Sequence, residues 1–187
     1  MSWTALVPLK PASERKRRLS QRLSPVARAA LAQRLFRHVI DRIAATRAVE
    51  RIVVLSDARP VGLMVEWVRD RGRGLNAEVQ AAAGSLTRPL LIVHADLPLL
   101  ESGDLDALIE AAAACGAALA PDRHGSGTNA VALADARTFA FRFGPGSLAL
   151  HQARAGRSCR LVELPGLQLD CDTGEDLDIA LAAGFEP

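Results

Sequence analysis

The segment PLLIVHADLP at residues 89–98 decides the fold. Pro89 to His94 is the most apolar run of the chain, and a strand that is apolar on both faces is typical of the centre of a parallel sheet. Asp96 follows this run, and Pro98 prevents the strand ladder from continuing. Open parallel sheets bind ligands beyond the carboxyl ends of their strands. Asp96 is therefore the first candidate functional residue.

Outward from this segment, short apolar runs alternate with longer amphipathic ones, which predicts βα units in one α/β domain over residues 1–187. The helix after Ser24 and Pro25 is expected to run for about 20 residues, with Val26 and Leu31 on its apolar side. The segment 61–69 fits a strand or a short helix. Strands are expected at 3–9, 51–56, 89–94, 117–120 and 130–133, with further candidates at 160–164 and 167–171. Helices are expected at 75–83 (closed by Gly84), 102–114, about 147–155 and 175–183.

The composition excludes several protein classes. Hydrophobic residues make up 49% and charged residues 24% of the 187, which excludes disorder, collagen and coiled coil. Aromatic residues are scarce at 4%, with no tyrosine, so a stacking platform for single-stranded nucleic acid is hard to build. A net charge of +2 is too small for a general polyanion binder. We expect neither nucleic acid nor membrane as a partner.

The cysteines and the first residues indicate the compartment. Cys115, Cys159 and Cys171 form no C-x-x-C pair, so neither a disulfide framework nor a zinc site is expected. The apolar run at the start breaks at Pro8 and Lys10, too early for a signal peptide. These features predict a cytoplasmic protein.

A basic loop lies between the first strand and its helix. It carries Lys10, Lys16, Arg18 and Arg22, together with Arg15 and Arg17, against one acid, Glu14. At this place in a βα unit the helix N-terminus also favours anions, so a polyphosphate ligand is predicted. A solvated basic face or a nonspecific nucleic-acid patch is the alternative.

Acidic residues after two apolar runs suggest a metal site. Asp96 could hold Mg²⁺ against substrate phosphates, because this ion is usually bound by one or two carboxylates plus phosphate oxygens and water. If the strand expected at 167–171 extends to Asp172, Asp170 and Asp172 lie on the same face of it, because side chains alternate along a strand. Asp172 is the preferred second ligand, with Asp170 in reserve. Capping alone would explain Thr173 and Asp176, and a helix cap or surface role is the alternative for Asp96.

Two glycine-bearing loops, 122–129 and 143–147, could each cradle a phosphate or carboxylate, although each could also be a simple turn. The four histidines, at 38, 94, 124 and 151, are scattered, and no Ser-His-Asp or Cys-His set stands out.

The order of these motifs resembles the CofC family of guanylyltransferases. The resemblance covers nearly the whole chain, and VPLKP, PDRHGSGTN and FGPGS are its most particular motifs. The motifs are VPLKP (7–11), KRRLS (16–20), LSP (23–25), LSD (55–57), GLNA (74–77), ADLP (95–98), PDRHGSGTN (121–129), FGPGS (143–147) and DTGEDL (172–177).

The resemblance implies a Rossmann-like, GT-A-like nucleotidyltransferase fold, with a mostly parallel sheet and helices on both faces. It also implies a magnesium-dependent enzyme that transfers GMP from GTP to a small phosphorylated acid in coenzyme F420 biosynthesis, releasing pyrophosphate. The acceptor would be 2-phospho-L-lactate, phosphoenolpyruvate or 3-phospho-D-glycerate, and a homodimer would be compatible with the family. The alternatives are another nucleotidyltransferase, of molybdenum-cofactor or cytidylyltransferase type, and a noncatalytic nucleotide- or RNA-binding module.

By the same resemblance, residues receive roles. Lys10, Lys16 and Arg18 would hold the triphosphate and stabilise the leaving pyrophosphate, and Asp96 and Asp172 would bind Mg²⁺. The nucleotide would contact Pro8, Lys10, Ser56, Asp57, Gly74, Leu75, Asn76 and Asp96. The phosphorylated acid would contact Thr128, Asn129, Gly144, Gly146 and Ser147.

Overall fold

The computed structural model describes residues 2–11, 16–86 and 89–186, with only the backbone of Arg17. Its described strands form one seven-stranded sheet in the order β3-β2-β1-β4-β6-β5-β7. The strands β1, β2, β3 and β4 run parallel, and β7 is parallel to β5, whereas β6 is antiparallel to both β4 and β5. The strands are β1 Trp3–Pro8, β2 Val49–Ser56, β3 Glu66–Arg69, β4 Leu90–Val93, β5 Ala117–Pro121, β6 Thr128–Leu133 and β7 Arg160–Leu161. The predicted mostly parallel sheet, with 89–94 at its centre, is confirmed.

The helices begin and end where the capping residues direct. Ser24 caps the first helix by accepting the Ala27 N–H at 3.2 Å, and Pro25 occupies its first turn. Thr173 and Asp176 form a capping box at the start of the last helix. None of the described helices combines the length and apolarity that crossing a membrane requires. The helices are α1 Pro25–Ala44, α2 Leu75–Ser85, α3 Ser102–Cys115, α4 Ser147–Ala155, α5 Pro165–Gln168 and α6 Gly174–Ala182.

Two apolar cores, one on each face of the sheet, hold the helices. Alternate residues of a strand point to opposite faces, so Val7 packs with α1, α3 and α5 while Leu6 packs with α2 and α4. A third apolar cluster holds the segment between β1 and α1, because Leu19 of this segment packs with Cys171 and with Leu35 of α1. Helices therefore cover both faces, as the resemblance implied.

Three local predictions were wrong. Residues 167–171 form no strand; α5 ends at Gln168, because the Asn129 amide donates to the Leu167 and Gln168 carbonyls, both at 3.0 Å, which takes these groups away from a ladder. Gly84 lies inside α2 and does not end it. Val26 of α1 is 79% exposed and faces solvent. The open choice for 61–69 resolves as the edge strand β3, which pairs only with β2 among the described strands.

The strand directions place several chain segments at one edge of the sheet. The strands β1, β4 and β5 end at this edge, and β6 begins there because it runs antiparallel to β4 and β5. The His94 N–H donates to the Asn129 carbonyl at 2.9 Å, which extends the pairing of β4 and β6 to the edge itself. Residues 8–10, 94–96 and 121–129 therefore meet at the carboxyl edge.

Candidate active site

A cleft of about 430 Å³ opens at the carboxyl edge of the sheet. Its walls come from the ends of β1 and β4, the start of β6, the first residue of α2, and the residues that precede α4 and α6. The lining residues are Pro8, Leu9, Lys10, Lys16, Arg18, Ala32, Leu75, His94, Ala95, Asp96, Asp122, Ser126, Gly127, Thr128, Asn129, Gly144, Pro145, Ser147, Asp170 and Asp172.

Two carboxylates that are distant in the sequence meet in this cleft. The Cys171 N–H donates to the Asp96 carbonyl at 2.9 Å, which ties the segment before α6 to the end of β4. The Lys16 ammonium then bonds both carboxylates, lying 2.8 Å from Asp96 Oδ2 and 3.2 Å from Asp172 Oδ1. One cation thus holds Asp96 and Asp172 together.

Lys16 is held in this position by burial and by its backbone. Its side chain is 5% exposed. Burial acts to lower the pKa of the amine, but the charges of Asp96 and Asp172 raise it well above its usual value, so Lys16 is charged. Its φ of 53° lies in the left-handed region, which costs a non-glycine residue about 1 kcal/mol or more. The backbone strain is offset by the two ion pairs that this conformation allows.

The pKa values of Asp96 and Asp170 are shifted in opposite directions. Burial acts to raise the pKa of Asp96, and the positive charge of Lys16 outweighs it and lowers this pKa to about 2. Burial, and then the negative charges of Asp96 and Asp172, raise the pKa of Asp170 to about 6. Asp96 Oδ1 is buried and bonds to no described residue. Asp96 is therefore an anion that keeps one carboxylate oxygen available.

Among the described side chains of the basic loop, three cations reach the cleft. Lys10, Lys16 and Arg18 line it. Arg22 instead binds the start of α6, donating to both carboxylate oxygens of Asp178 at 2.6 and 2.9 Å and to the Gly174 carbonyl at 2.8 Å. Arg15 and the side chain of Arg17 lie outside the described residues. Arg22 therefore has a structural partner and does not contribute to a polyphosphate site.

The second glycine loop and α4 form the opposite wall. Ser147 begins α4 after Gly146, whose φ of 71° is left-handed and suits glycine at this cap. The Ser147 hydroxyl lies 3.2 Å from the Thr128 hydroxyl, and both residues are buried beneath the cleft surface. Asn129 also lines the cleft, although its amide nitrogen is used by α5. Four of the five residues predicted to contact the acid thus line one wall, Gly146 being the exception.

Four of the residues assigned to the nucleotide do not line the cleft. The buried Ser56 donates to the Ala58 carbonyl at 2.8 Å, and Asp57 accepts the Ala58 N–H at 3.0 Å, so both shape the turn after β2. Gly74 precedes α2. Asn76 binds the backbone of Phe143 through both ends of its amide, which accepts the Phe143 N–H at 2.7 Å and donates to the Phe143 carbonyl at 3.0 Å. Asn76 therefore supports the loop 143–147.

Two histidines that were not singled out lie at the cleft. His94 lines it, with a buried Nε2 that has no described partner and a ring centroid 5.1 Å from that of Phe143. His151 is fully buried behind Thr128, with Nδ1 3.0 Å from its hydroxyl. The position of His94 directly before Asp96 was the available signal. For His151 the signal was its position four residues after Ser147, which places both on one side of α4.

Comparison with known proteins agrees with this architecture. The model of the family described as "Guanylyl transferase CofC like" matches residues 3–184. A phosphoenolpyruvate guanylyltransferase of Sphaerobacter thermophilus is 37% identical over 95% of this chain and 92% of its own length. One of Rubrobacter xylanophilus is 37% identical over 98% of this chain and 96% of its own.

Solved structures share the fold at low sequence identity. A nucleotidyl transferase from Methanothermobacter aligns with a TM-score of 0.70 at 16% identity, covering 98% of this chain and 99% of its own. A CMP:2-keto-3-deoxy-manno-octonic acid synthetase, solved with CTP, aligns with a TM-score of 0.65 at 13% identity and covers 98% of each chain. Both are nucleotidyltransferase folds. With the family match over nearly its whole length, the chain belongs to the CofC family of guanylyl transferases and is an enzyme of the nucleotidyltransferase class.

Proposed function

We propose that this enzyme transfers GMP from GTP to the phosphate of a small phosphorylated acid, with phosphoenolpyruvate as the first candidate. Relatives at 37% identity carry the name phosphoenolpyruvate guanylyltransferase. The observation that carries the proposal is the cleft, where Lys10, Lys16 and Arg18 face the paired carboxylates of Asp96 and Asp172. Cations that neutralise a triphosphate beside acids that bind a metal are the parts this transfer needs.

In the proposed reaction an oxygen of the acid's phosphate forms a bond to the α-phosphorus of GTP. The bond from that phosphorus to the oxygen shared with the β-phosphorus breaks, and its electron pair leaves with pyrophosphate. The product is an acid joined to guanosine through a diphosphate. The protein's part is positioning and charge neutralisation, since little covalent chemistry falls to its side chains.

The carboxylate pair fits a bound Mg²⁺. Asp96 offers a buried oxygen with no described partner, and Asp172 converges with it on one cation. Within the part of the chain that the structure describes, no three His, Cys, Asp or Glu side chains form a metal cage; Mg²⁺ typically needs only one or two carboxylates, with phosphates and water as its other ligands. When bound there, Mg²⁺ supplies Lewis-acid stabilisation of charge on the phosphates. Asp170 stays the reserve ligand.

In this proposal the cations of the cleft, Lys10, Lys16 and Arg18, bind the triphosphate of GTP. A charge pair at about 4 Å is worth about 1 kcal/mol in bulk water and about 4 kcal/mol at an effective dielectric constant of about 20, so burial in the cleft decides their value. Lys10 and Arg18 are exposed at its rim, whereas Lys16 is buried. Lys16 has two competing partners, the carboxylates that hold it now and the phosphates of GTP.

In this proposal the phosphorylated acid binds at the wall formed by the loop 143–147 and α4. Thr128 and Ser147 supply hydroxyl groups, and Gly144 allows the ligand to approach the loop backbone. We place the reaction in coenzyme F420 biosynthesis in the cytoplasm, with no nucleic-acid or membrane partner, and a homodimer is compatible with this proposal.

The test is a substrate panel scored by pyrophosphate release. Each of the four common nucleoside triphosphates is paired with phosphoenolpyruvate, 2-phospho-L-lactate and 3-phospho-D-glycerate, with and without Mg²⁺. We expect turnover with GTP and one of these acids, dependent on the metal. Preference for CTP, or turnover with none of the acids, would overturn the proposal in favour of another nucleotidyltransferase reaction.

The matched variants are Asp96→Asn and Asp178→Asn. Asp96→Asn removes the charge of the proposed ligand, whose Oδ1 is buried, so we expect turnover to fall by about a hundredfold or more, the loss typical of removing an electrostatic group from an active site. Asp178 is an exposed acid that pairs with Arg22 outside the cleft, and its variant should keep wild-type turnover. Equal activity of the two variants would remove the metal assignment.

A further inference from the structure

A buried histidine stands behind the wall that takes the acid. His151 of α4 is 0% exposed. The Arg142 backbone N–H donates to its Nε2 at 2.9 Å, and its Nδ1 lies 3.0 Å from Thr128 Oγ1. The rings of Phe139 and Phe143 flank it, with centroids at 5.6 and 4.8 Å. Both ring nitrogens are therefore engaged, one with the backbone and one with the cleft.

The backbone contact determines which nitrogen carries the proton. A backbone N–H can only donate to a lone pair, so Nε2 of His151 is unprotonated and the hydrogen lies on Nδ1. Burial among apolar rings supports the same neutral form, since it lowers the pKa of His151 to about 4. Nδ1–H of His151 consequently donates to the hydroxyl oxygen of Thr128.

The hydroxyl hydrogens of Thr128 and Ser147 determine which hydrogen-bond donor the cleft offers to a ligand. The hydroxyls of Thr128 and Ser147 are 3.2 Å apart and share one hydrogen bond, which uses one of their two hydrogens. The other hydrogen has no acceptor among the residues that the structure describes. Both residues line the cleft, so whichever hydroxyl keeps the second hydrogen can donate it to a ligand.

We propose that His151 is a positioning residue that makes the Thr128 and Ser147 pair a hydrogen donor toward an anionic oxygen of the acceptor acid. This inference rests on the proposed function. Because His151 donates to the Thr128 hydroxyl oxygen, Thr128 cannot use its own hydrogen on His151. The second hydroxyl hydrogen of the Thr128 and Ser147 pair then points into the cleft, where a ligand atom that accepts hydrogen bonds can pair with it. A phosphate or carboxylate oxygen satisfies it best, because hydrogen bonds to charged acceptors are the stronger ones.

Two substitutions separate positioning from packing. An asparagine at 151 places its amide near the position of Nδ1 and can still donate to Thr128, whereas a glutamine reaches the position of Nε2 and cannot serve both partners. We expect His151→Gln to raise KM for the acid about tenfold with KM for GTP unchanged, and His151→Asn to restore most of that loss. Calorimetric titration with phosphoenolpyruvate should show the same order of affinities.

A measurement on the wild type does not depend on any variant folding. Nitrogen-15 NMR of the histidine rings should show His151 with its hydrogen on Nδ1, and its signals should shift when phosphoenolpyruvate is added. A hydrogen on Nε2 would overturn the proposal. So would a His151→Gln protein that folds and keeps the wild-type KM for the acid, or one in which both KM values rise together.

The outcomes also separate this inference from the proposed function. A wild type that neither binds nor turns over any of the three acids overturns the proposed function, and this inference with it. An active wild type whose glutamine variant behaves identically overturns only the role of His151.

Discussion

Replacing Lys16 with methionine removes the charge from between Asp96 and Asp172 and keeps the unbranched stem. At distances of 2.8 and 3.2 Å the two attractions are about 6 and about 5 kcal/mol at an effective dielectric constant of about 20. Burial of the ammonium cancels much of this gain. The pKa of Asp96, 3.8 in its ordinary state, is about 2 here, which corresponds to about 2 kcal/mol of folding free energy. We expect the variant to be less stable than wild type by about 2 to 3 kcal/mol at neutral pH without divalent ions.

The pH dependence gives this loss a signature. A carboxyl whose folded-state pKa is depressed contributes stability above its unfolded pKa, and this contribution disappears as the pH falls from about 4 to about 2. The difference between Lys16→Met and wild type should therefore be widest at neutral pH and should shrink over this acidic interval. Urea unfolding followed by circular dichroism in a chelator measures it. Lys10→Met, at an exposed lysine of the same cleft, is the control and should lose less than about 1 kcal/mol.

Magnesium should report the same competition. In wild type a divalent ion competes with the ammonium of Lys16 for both carboxylates, whereas in Lys16→Met both carboxylates are available to it alone. Added Mg²⁺ should therefore raise the thermal midpoint of the variant more than that of wild type. When the ion is in excess, each tenfold gain in affinity for Mg²⁺ adds about 1.4 kcal/mol to the free energy of unfolding. A variant as stable as wild type at neutral pH, or equal magnesium shifts in both proteins, would refute the reasoning.

Three further outcomes are expected. Burial lowers the pKa of His151 to about 4, so wild type should lose about 2 to 3 kcal/mol more than His151→Asn as the pH falls from about 6.5 to about 4, measured by urea unfolding. Burial and nearby charges raise the pKa of Asp170 to about 6, so this group costs stability above its unfolded pKa. In a chelator, Asp170→Asn should therefore stabilise the fold by about 3 kcal/mol at neutral pH and by nothing below about pH 4; equal effects at both pH values would contradict this. Asn76→Ala removes both bonds to the Phe143 backbone and should lower the free energy of unfolding by about 1 to 3 kcal/mol, with loss of protection from hydrogen exchange confined to residues 143–147.

The fold was predictable where local signals agreed. Ser24 and Pro25 indicate where α1 begins, and the uninterrupted apolar run at 89–94 identifies the central strand. Residues 167–171 misled because their apolar character fits a strand, whereas the deciding bonds come from Asn129, 38 and 39 residues earlier in the sequence. A pattern within five residues carries no information about such a partner.

The candidate site divides in the same way. That Asp96 lies at the sheet edge follows from its place after an apolar strand, and its meeting with Asp172 was anticipated from the acids before the last helix. The partner of Lys16 was not predictable, because it depends on a loop whose path no periodicity describes. His151 was missed because a histidine inside a helix is usually a packing residue, and the role proposed for it depends on its contact with Thr128, 23 residues earlier.

The cationic lining of the cleft has a practical consequence. Of the 23 lysine and arginine residues in the chain, only two are lysines, at 10 and 16, and both line the cleft. Acylating reagents attack neutral amines and leave guanidinium groups intact. The side-chain amines of the whole molecule are thus concentrated at one place, where Lys10 is exposed and Lys16 is buried and charged. Apart from the amino terminus, acylation of amines in this protein should therefore occur mainly at Lys10 in the candidate cleft, and mass spectrometry of the adducts should follow ligand binding there.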